Sequence, residues 1–516
     1  MSSYDVAIVG MGPVGAAAAI LFADAGLKVI AFERDAHVYP LPRAVALDGE
    51  VVRGFQRVGR AGELAALLQP VRPGERAGFA NSRLEWLFGQ PYATFGVNGW
   101  QPISMFDQPE LEAHLRRLAM DHSGVTGCLE VQVETFEETG GQVAIRARQA
   151  DGALSETSAR FLVACDGAAS GARRALEIGW RDLGYDHDWL VVDVVLKDGH
   201  TLGLDTLQVC DPDRLSTYIA TKDPFRRWEF KLNPGETREE MLEPERIREL
   251  IDPWTPRGTY EIRRSAVYQF HAATAETWRK GRVLLAGDAA HQTPPFLGQG
   301  LNAGMRDVIN LAWKLPLVLS GAADEGLLDS YQAERGAHAA DLVEWAVAIG
   351  KLMEHLAAVE AAQRVGRKPP EVPDGNRASG YGQGREAPPL RDGVVMVDQV
   401  SEDGSTGYLF RQPAVRDADG EEYLLDDRLG AGFALVARSE ADLAMSEASR
   451  AIVDALGMST TTLEGLEATR GRFDRLFEGS AAAVVRPDRY VFGHTSQSLS
   501  LDALLGELAA RLGLRL

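Results

Sequence analysis

Gly10, Gly12 and Gly15 stand in the spacing G-x-G-x-x-G, and Glu33 follows 18 residues past the last of them. Glycines so spaced allow a tight turn, let the backbone approach a pyrophosphate, and let a helix pack closely on a strand. An acid at that distance can accept hydrogen bonds from ribose hydroxyls. Two later clusters carry the same kind of chemistry. One is Cys165-Asp166-Gly167 with Arg173; the other runs from Gly287-Asp288 through His291 to Gly298-Gln-Gly300-Leu301-Asn302. A helix beginning near Gly300 would point its positive end at a bound group, and Asp288 would need a bridging donor to sit near phosphate.

The elements around these residues follow from pattern. Val6–Val9 reads as a buried strand, Ala16–Ala25 as a helix closed by Gly26, and Leu27–Phe32 as a second strand, so that residues 4–33 form a βαβ unit with a right-handed crossover. Residues 107–122 read as an amphipathic helix and Arg282–Ala286 as another buried strand. A long helix is expected over 302–319, kinked at Pro316. Between about 181 and 275, strand-like segments (Trp189–Leu196, Thr217–Thr221, Arg227–Leu232) alternate with Pro/Gly turns, which predicts an inserted antiparallel sheet. The Gly/Pro-rich stretch 366–393 reads as a linker before a small α/β unit.

Composition narrows the partners. The 516 residues are 45% apolar and 25% charged with a net charge of −20, which suits a globular protein of two or three domains and disfavours nucleic acid and anionic lipid. No apolar run approaches the roughly 20 residues needed to span a bilayer. The N-terminus has no basic segment of a secretory signal, and only three cysteines occur, without C-x-x-C or metal-ligand spacing, so a reducing cytoplasm and no metal site are expected.

Taken together, the three motifs resemble those of the class A flavoprotein aromatic hydroxylases. Pro42-Arg-Ala, Phe106-Asp-Gln-Pro-Glu, Trp189-Leu-Val-Val-Asp193, Arg226-Arg-Trp-Glu-Phe230 and Gly304-Met-Arg-Asp-Val are similar to the 3-(3-hydroxyphenyl)propionate hydroxylase branch. The resemblance implies an α/β fold: a Rossmann-like FAD-binding domain (1–75, 106–180 and 276–365), a mainly antiparallel substrate domain (76–105 and 181–275), the 366–393 linker, and a thioredoxin-like C-terminal domain (394–516) lacking C-x-x-C. It implies FAD held by Gly10, Gly12, Pro13, Gly15, Glu33, Arg34, Arg43, Gln108, Arg116, Asp166, Asp288, Gly298, Gly300, Leu301 and Asn302. NADH or NADPH would act as a transient co-substrate.

The reaction implied is hydroxylation of a phenolic ring by O2 through a flavin C4a-hydroperoxide, ortho to the existing hydroxyl. The expected substrate is 3-(3-hydroxyphenyl)propionate or a 3-hydroxycinnamate-like compound, with another phenol, an aromatic polyketide or a non-hydroxylating flavin reaction as alternatives. Tyr218, Tyr268 and His271 are candidates to bond the phenol. Arg226, Arg227 and Pro295, with the pair Arg263 and Arg264, are candidates to meet the substrate. Adjacent arginines on a strand point to opposite faces, so each pair offers one. His291 is expected to be structural, the loop at Pro42 and Arg43 to act as a gate, and the C-terminal domain to serve packing or homodimerisation.

Overall fold

Parallel strands joined by helices need both faces covered, and the first 33 residues begin such a layer. The computed structural model describes residues 3–197, 199–371, 387–402 and 404–515, so residues 372–386 of the expected linker lie outside the described residues. Strand Ser3–Val9 pairs in parallel with Val29–Glu33 on one side and Leu154–Ala164 on the other, and the layer extends to Val125–Leu129 and Val283–Leu285. Helix Pro13–Asp24, apolar over nearly all its surface, is buried from Gly15 to Ala23, because it is sandwiched between this sheet and helix Gly300–Ser320. The latter runs through Pro316 without ending there.

A second sheet of eight strands is antiparallel except where Thr206–Cys210 meets Arg76–Ala80 in parallel. Its centre is the long pair Trp180–Leu196 and Tyr260–Ala275, flanked by Phe225–Lys231 and Leu215–Ile219. The side chains alternate, and the two faces differ. Leu190, Val192, Val194, Tyr218, Trp228 and Phe230 form an outer core against helix Pro244–Ile251. Trp189, Phe79 and Cys210 face inward, with Phe296 and with Val343 and Val347 of the 36-residue helix Asp329–Arg364. Helices Arg238–Met241 and Pro244–Ile251 turn Met241, Ile247 and Ile251 into the outer core.

Beyond the linker a four-stranded sheet runs Ser459–Thr462, Ala434–Ala437, Ala482–Val485, Val491–His494, with the first pair parallel and the others antiparallel. Helices Glu447–Ala455 and Leu501–Leu512 accompany it. No helix among the described residues is long and apolar enough to cross a membrane.

Candidate active site

At the end of the first strand the chain turns at Gly10, whose φ of +92° falls in the left-handed region. A Cβ there would lie 2.6 Å from the Cys165 carbonyl oxygen, and one at Gly15 would lie 1.9 Å from the Gly10 carbonyl oxygen, so both positions admit only glycine. Gly12 differs: a Cβ at that residue would meet no atom within 4 Å. Its small size is therefore not a packing need of the protein; it keeps open a face of backbone. Helix Pro13–Asp24 starts there with no side-chain cap and no acid in its first turn, leaving its positive end free for an anion.

Glu33 is buried at the tip of its strand and accepts from the Met11 amide at 2.7 Å and the Asp35 amide at 3.0 Å. Arg116 packs beside it, 3.4 Å from Glu33, and bonds the Met11 carbonyl and Glu112, while its Nη1 is enclosed without a partner. Arg34 points into solvent with Asp35 as its contact. In the turn after strand Leu154–Ala164, Asp166 accepts from the Ala172 amide at 3.0 Å through one oxygen; the other is enclosed and unbonded. A buried donor and a buried acceptor without partners, on either side of an open glycine turn, are groups that a ligand would satisfy.

Asp288 follows strand Val283–Leu285 in a tight turn. It is open to solvent yet set deep in protein, as a cleft wall is; that setting pushes its carboxyl upward, opposed by His291 and Arg43. Helix Gly300–Ser320 starts next to it, again uncapped. Asn302 fixes that start by donating to the carbonyls of Gly298 (2.8 Å) and Ala46 (3.2 Å) and accepting from the Asp48 amide. A Cβ at Gly304 would lie 2.8 Å from Val14 and 3.0 Å from the Gly287 Cα, so this glycine draws the two helix starts and the Asp288 turn together. Asp307, quoted above only as part of Gly304-Met-Arg-Asp-Val, ties the same region by accepting from the Gly287 amide, Arg335 and His291. His291 is fully buried in that contact.

The loop over Pro42–Ala44 is held from two sides. Gln108 accepts from the amides of Arg43 and Ala44 at 3.0 and 2.7 Å. From the second sheet Arg227 donates to the carbonyls of Arg43 (2.7 Å) and Pro42 (3.0 Å), and Arg264 also donates to Pro42. Arg227 in turn is paired with Asp193. The Arg43 side chain lies over the Tyr39 ring, exposed. The inner sheet face therefore lies between this loop and the turn Pro295–Leu297, where Phe296 packs edge-on against Trp189 at 5.3 Å and Phe270 at 6.4 Å.

The structure separates the residues proposed to meet substrate. Tyr218 gives way as a phenol partner: it is fully buried on the outer face against Trp228 and Trp254, and burial pushes its hydroxyl up to about 12. His271 also turns from the inner face, half exposed beside Asp186. Tyr268 does lie on the inner face, opposite Trp189 and under Arg264. Arg226 and Arg227 point apart as expected, but both are engaged, Arg226 by Asp223 and the Phe225 carbonyl. Arg263 is bound to Asp107 and Arg264 to the Pro42 carbonyl, with Asp193 at 3.5 Å. Pro295 opens the turn that carries Phe296.

An open phosphate-receiving turn and two uncapped helix starts, faced by a sheet side that carries aromatic and charged side chains, define a nucleotide-cofactor enzyme. The FAD binding domain family matches residues 3–346, and the chain belongs to it; a match to the HcaD C-terminal domain covers 407–511. Among its relatives, a 3-(3-hydroxy-phenyl)propionate/3-hydroxycinnamic acid hydroxylase of Klebsiella pneumoniae is 34% identical over 438 residues, 84% of this chain and 77% of that one. A probable NADH-specific resorcinol 4-hydroxylase of Rhodococcus jostii is 33% identical over 530 residues, 98% of this chain and 95% of that one. The crystal structure of aklavinone-11 hydroxylase with FAD and aklavinone superposes with a TM-score of 0.80 at 26% identity over 99% of each chain. The protein is a flavoprotein aromatic monooxygenase that uses FAD and a nicotinamide co-substrate. The open Gly12 face and the unpartnered Arg116 and Asp166 atoms fit that cofactor.

Proposed function

We propose that this enzyme hydroxylates a phenolic ring ortho to its hydroxyl, on the inner face of the antiparallel sheet. The observation that carries the reading is the convergence of three elements: the loop at Pro42–Ala44, bonded by Arg227 of the sheet, the turn at Pro295–Leu297, and the face bearing Trp189, Phe270 and Tyr268. FAD, when bound, supplies acceptance of two electrons from the nicotinamide and activation of O2. The chain supplies the rest. Gly10, Gly12 and Gly15 shape the phosphate turn, Glu33 and Arg116 meet the adenosine end, and Asp166 and Asp288 line the middle. The uncapped helix start at Gly300–Asn302 stabilises negative charge at the ring end. The aromatic wall excludes water, and Gln108, Arg227 and Arg264 hold the covering loop in place.

Relatives named for 3-(3-hydroxyphenyl)propionate and 3-hydroxycinnamate support a phenol with a short acidic side chain. A specific feature favours a neutral phenol of the resorcinol type instead. All four arginines that could receive a carboxylate are engaged by the protein's own acids and carbonyls, with only the Nε atoms of Arg226 and Arg264 among their buried nitrogens left without a hydrogen-bond partner, and Glu229 would repel an anion. NADH oxidation and product analysis across a panel containing resorcinol and 3-(3-hydroxyphenyl)propionate test both. Faster coupled turnover of resorcinol is expected; stimulation by neither would reject the reading. The four-stranded C-terminal sheet, with one parallel and two antiparallel pairings, is read as a thioredoxin-like unit in a packing role, since Cys128, Cys165 and Cys210 all lie outside it.

A further inference from the structure

Glu229 stands in the middle of the inner sheet face, opposite Val191 on one neighbouring strand and Thr217 on the other. Only 2% of its surface is exposed. Three of the groups around it that could bond it are committed elsewhere. Arg227, two residues away on the same face, is bound to Asp193 and the covering loop. Lys231, two residues the other way, is bound to Glu354 at 2.5 Å. Thr217 donates to Gln208 at 2.7 Å. Among the described residues no donor reaches the Glu229 carboxylate, yet its oxygens are not among the fully enclosed unpartnered atoms, so they border open space. A buried acceptor left open on one side is a place for a donor that the chain does not provide.

We propose that the Glu229 carboxylate receives the hydrogen bond of the substrate's phenolic hydroxyl and accepts its proton. The phenol O–H bond breaks as the O–H of the carboxylic acid forms, and the electron pair remains on the phenolate oxygen, enriching the ortho carbons for attack by an electrophilic oxygen. This rests on the phenol-hydroxylase reading. Burial pushes the Glu229 carboxyl up to about 7, opposed by Arg227 on its own strand and Arg264 on the long strand, and reinforced by Asp193 between them. A base poised near the working pH is the most effective kind. The same environment means that ionised Glu229 destabilises the fold, a penalty that sets in as pH rises from the ordinary carboxylate range through about 7.

The test uses the holoenzyme and its Glu229→Gln variant with resorcinol and 3-(3-hydroxyphenyl)propionate as probes. The variant is expected to keep its FAD and a Tm no lower than the parent's, to lose roughly 100-fold or more in kcat/KM, and to lose the rise in activity through neutral pH. The parent's kcat/KM should rise with pH through about 7, while the variant's stays flat there. The parent measurement stands alone if the variant does not fold: a parent profile that is flat through that range overturns the proposal. A parent that turns over phenols while the variant keeps its rate and pH profile removes Glu229 and leaves the hydroxylase reading intact. A parent that turns over no phenol removes both.

Discussion

Two regions of this protein bury charge, and they do so in opposite ways. Where helices Gly300–Ser320 and Asp329–Arg364 meet the C-terminal unit, Glu334 accepts from Lys314 (2.8 Å), Arg486 (2.7 Å) and Asn310 (2.7 Å), and Asp488 accepts from Arg486, Asn310 and Trp313. Nearby Asp426 is shared by Arg53 and Arg489. Each of those carboxylates is met by cations of the chain itself. In the cleft, by contrast, Arg116 Nη1, one Asp166 oxygen and the Glu229 carboxylate are left without protein partners. The saturated cluster joins parts of the chain separated by more than a hundred residues. The unsaturated groups are the ones we assign to a cofactor and a substrate.

Glu334→Gln leaves Lys314 and Arg486 buried with too little negative charge, and a loss of about 3–5 kcal/mol in denaturant unfolding is expected. Burial pushes the Glu334 carboxyl upward, but Arg486 and Lys314 overcome it and hold the group down at about 2. Its contribution is therefore fully present above the ordinary carboxylate pKa of 4.5 and is lost as pH falls from there toward 2, so the parent should lose stability in that window more steeply than the variant. A parent and variant with superimposable acid transitions would show that the pairing contributes nothing.

Next in size is Gly15→Ala, whose new methyl would collide with the Gly10 carbonyl; about 1–3 kcal/mol of destabilisation together with loss of bound flavin is expected from thermal melts and the visible spectrum. Arg116→Lys is a smaller change. It keeps a cation beside Glu33 and Glu112 but removes the guanidinium fork, so the fold should change little while FAD affinity falls roughly 10-fold. Equal affinity in a flavin titration would show that the unpartnered Nη1 does not meet the cofactor.

Much of this was legible before any coordinates. Gly10, Gly12 and Gly15 carry their meaning in backbone conformation, which spacing within one βαβ unit fixes locally, and the strand–turn–helix around them appears where periodicity places it. The inner sheet face was not legible. Arg227-Trp228-Glu229-Phe230 alternates charged and apolar residues, which reads as any amphipathic strand, and only the packing of helix Pro244–Ile251 against the apolar side shows that the charged side faces inward. For the same reason Tyr218 and Thr217, neighbours in sequence, end on opposite faces. Asp307 was equally silent, since a charged residue within a helix usually faces solvent; its partners Gly287, His291 and Arg335 come from three other segments. The signal that could have been used is the charge inside otherwise buried strands, at Asp193, Arg227 and Glu229.

The most direct test of the division between self-satisfied and ligand-satisfied groups is Gly12→Ala, measured as the Tm of the flavin-free protein and as FAD affinity by titration. Because a Cβ at that position meets no protein atom within 4 Å, the flavin-free variant should melt with the parent while its affinity for FAD falls roughly 10-fold or more. A variant that binds FAD as tightly as the parent would contradict the account, since the open backbone face would then belong to no ligand.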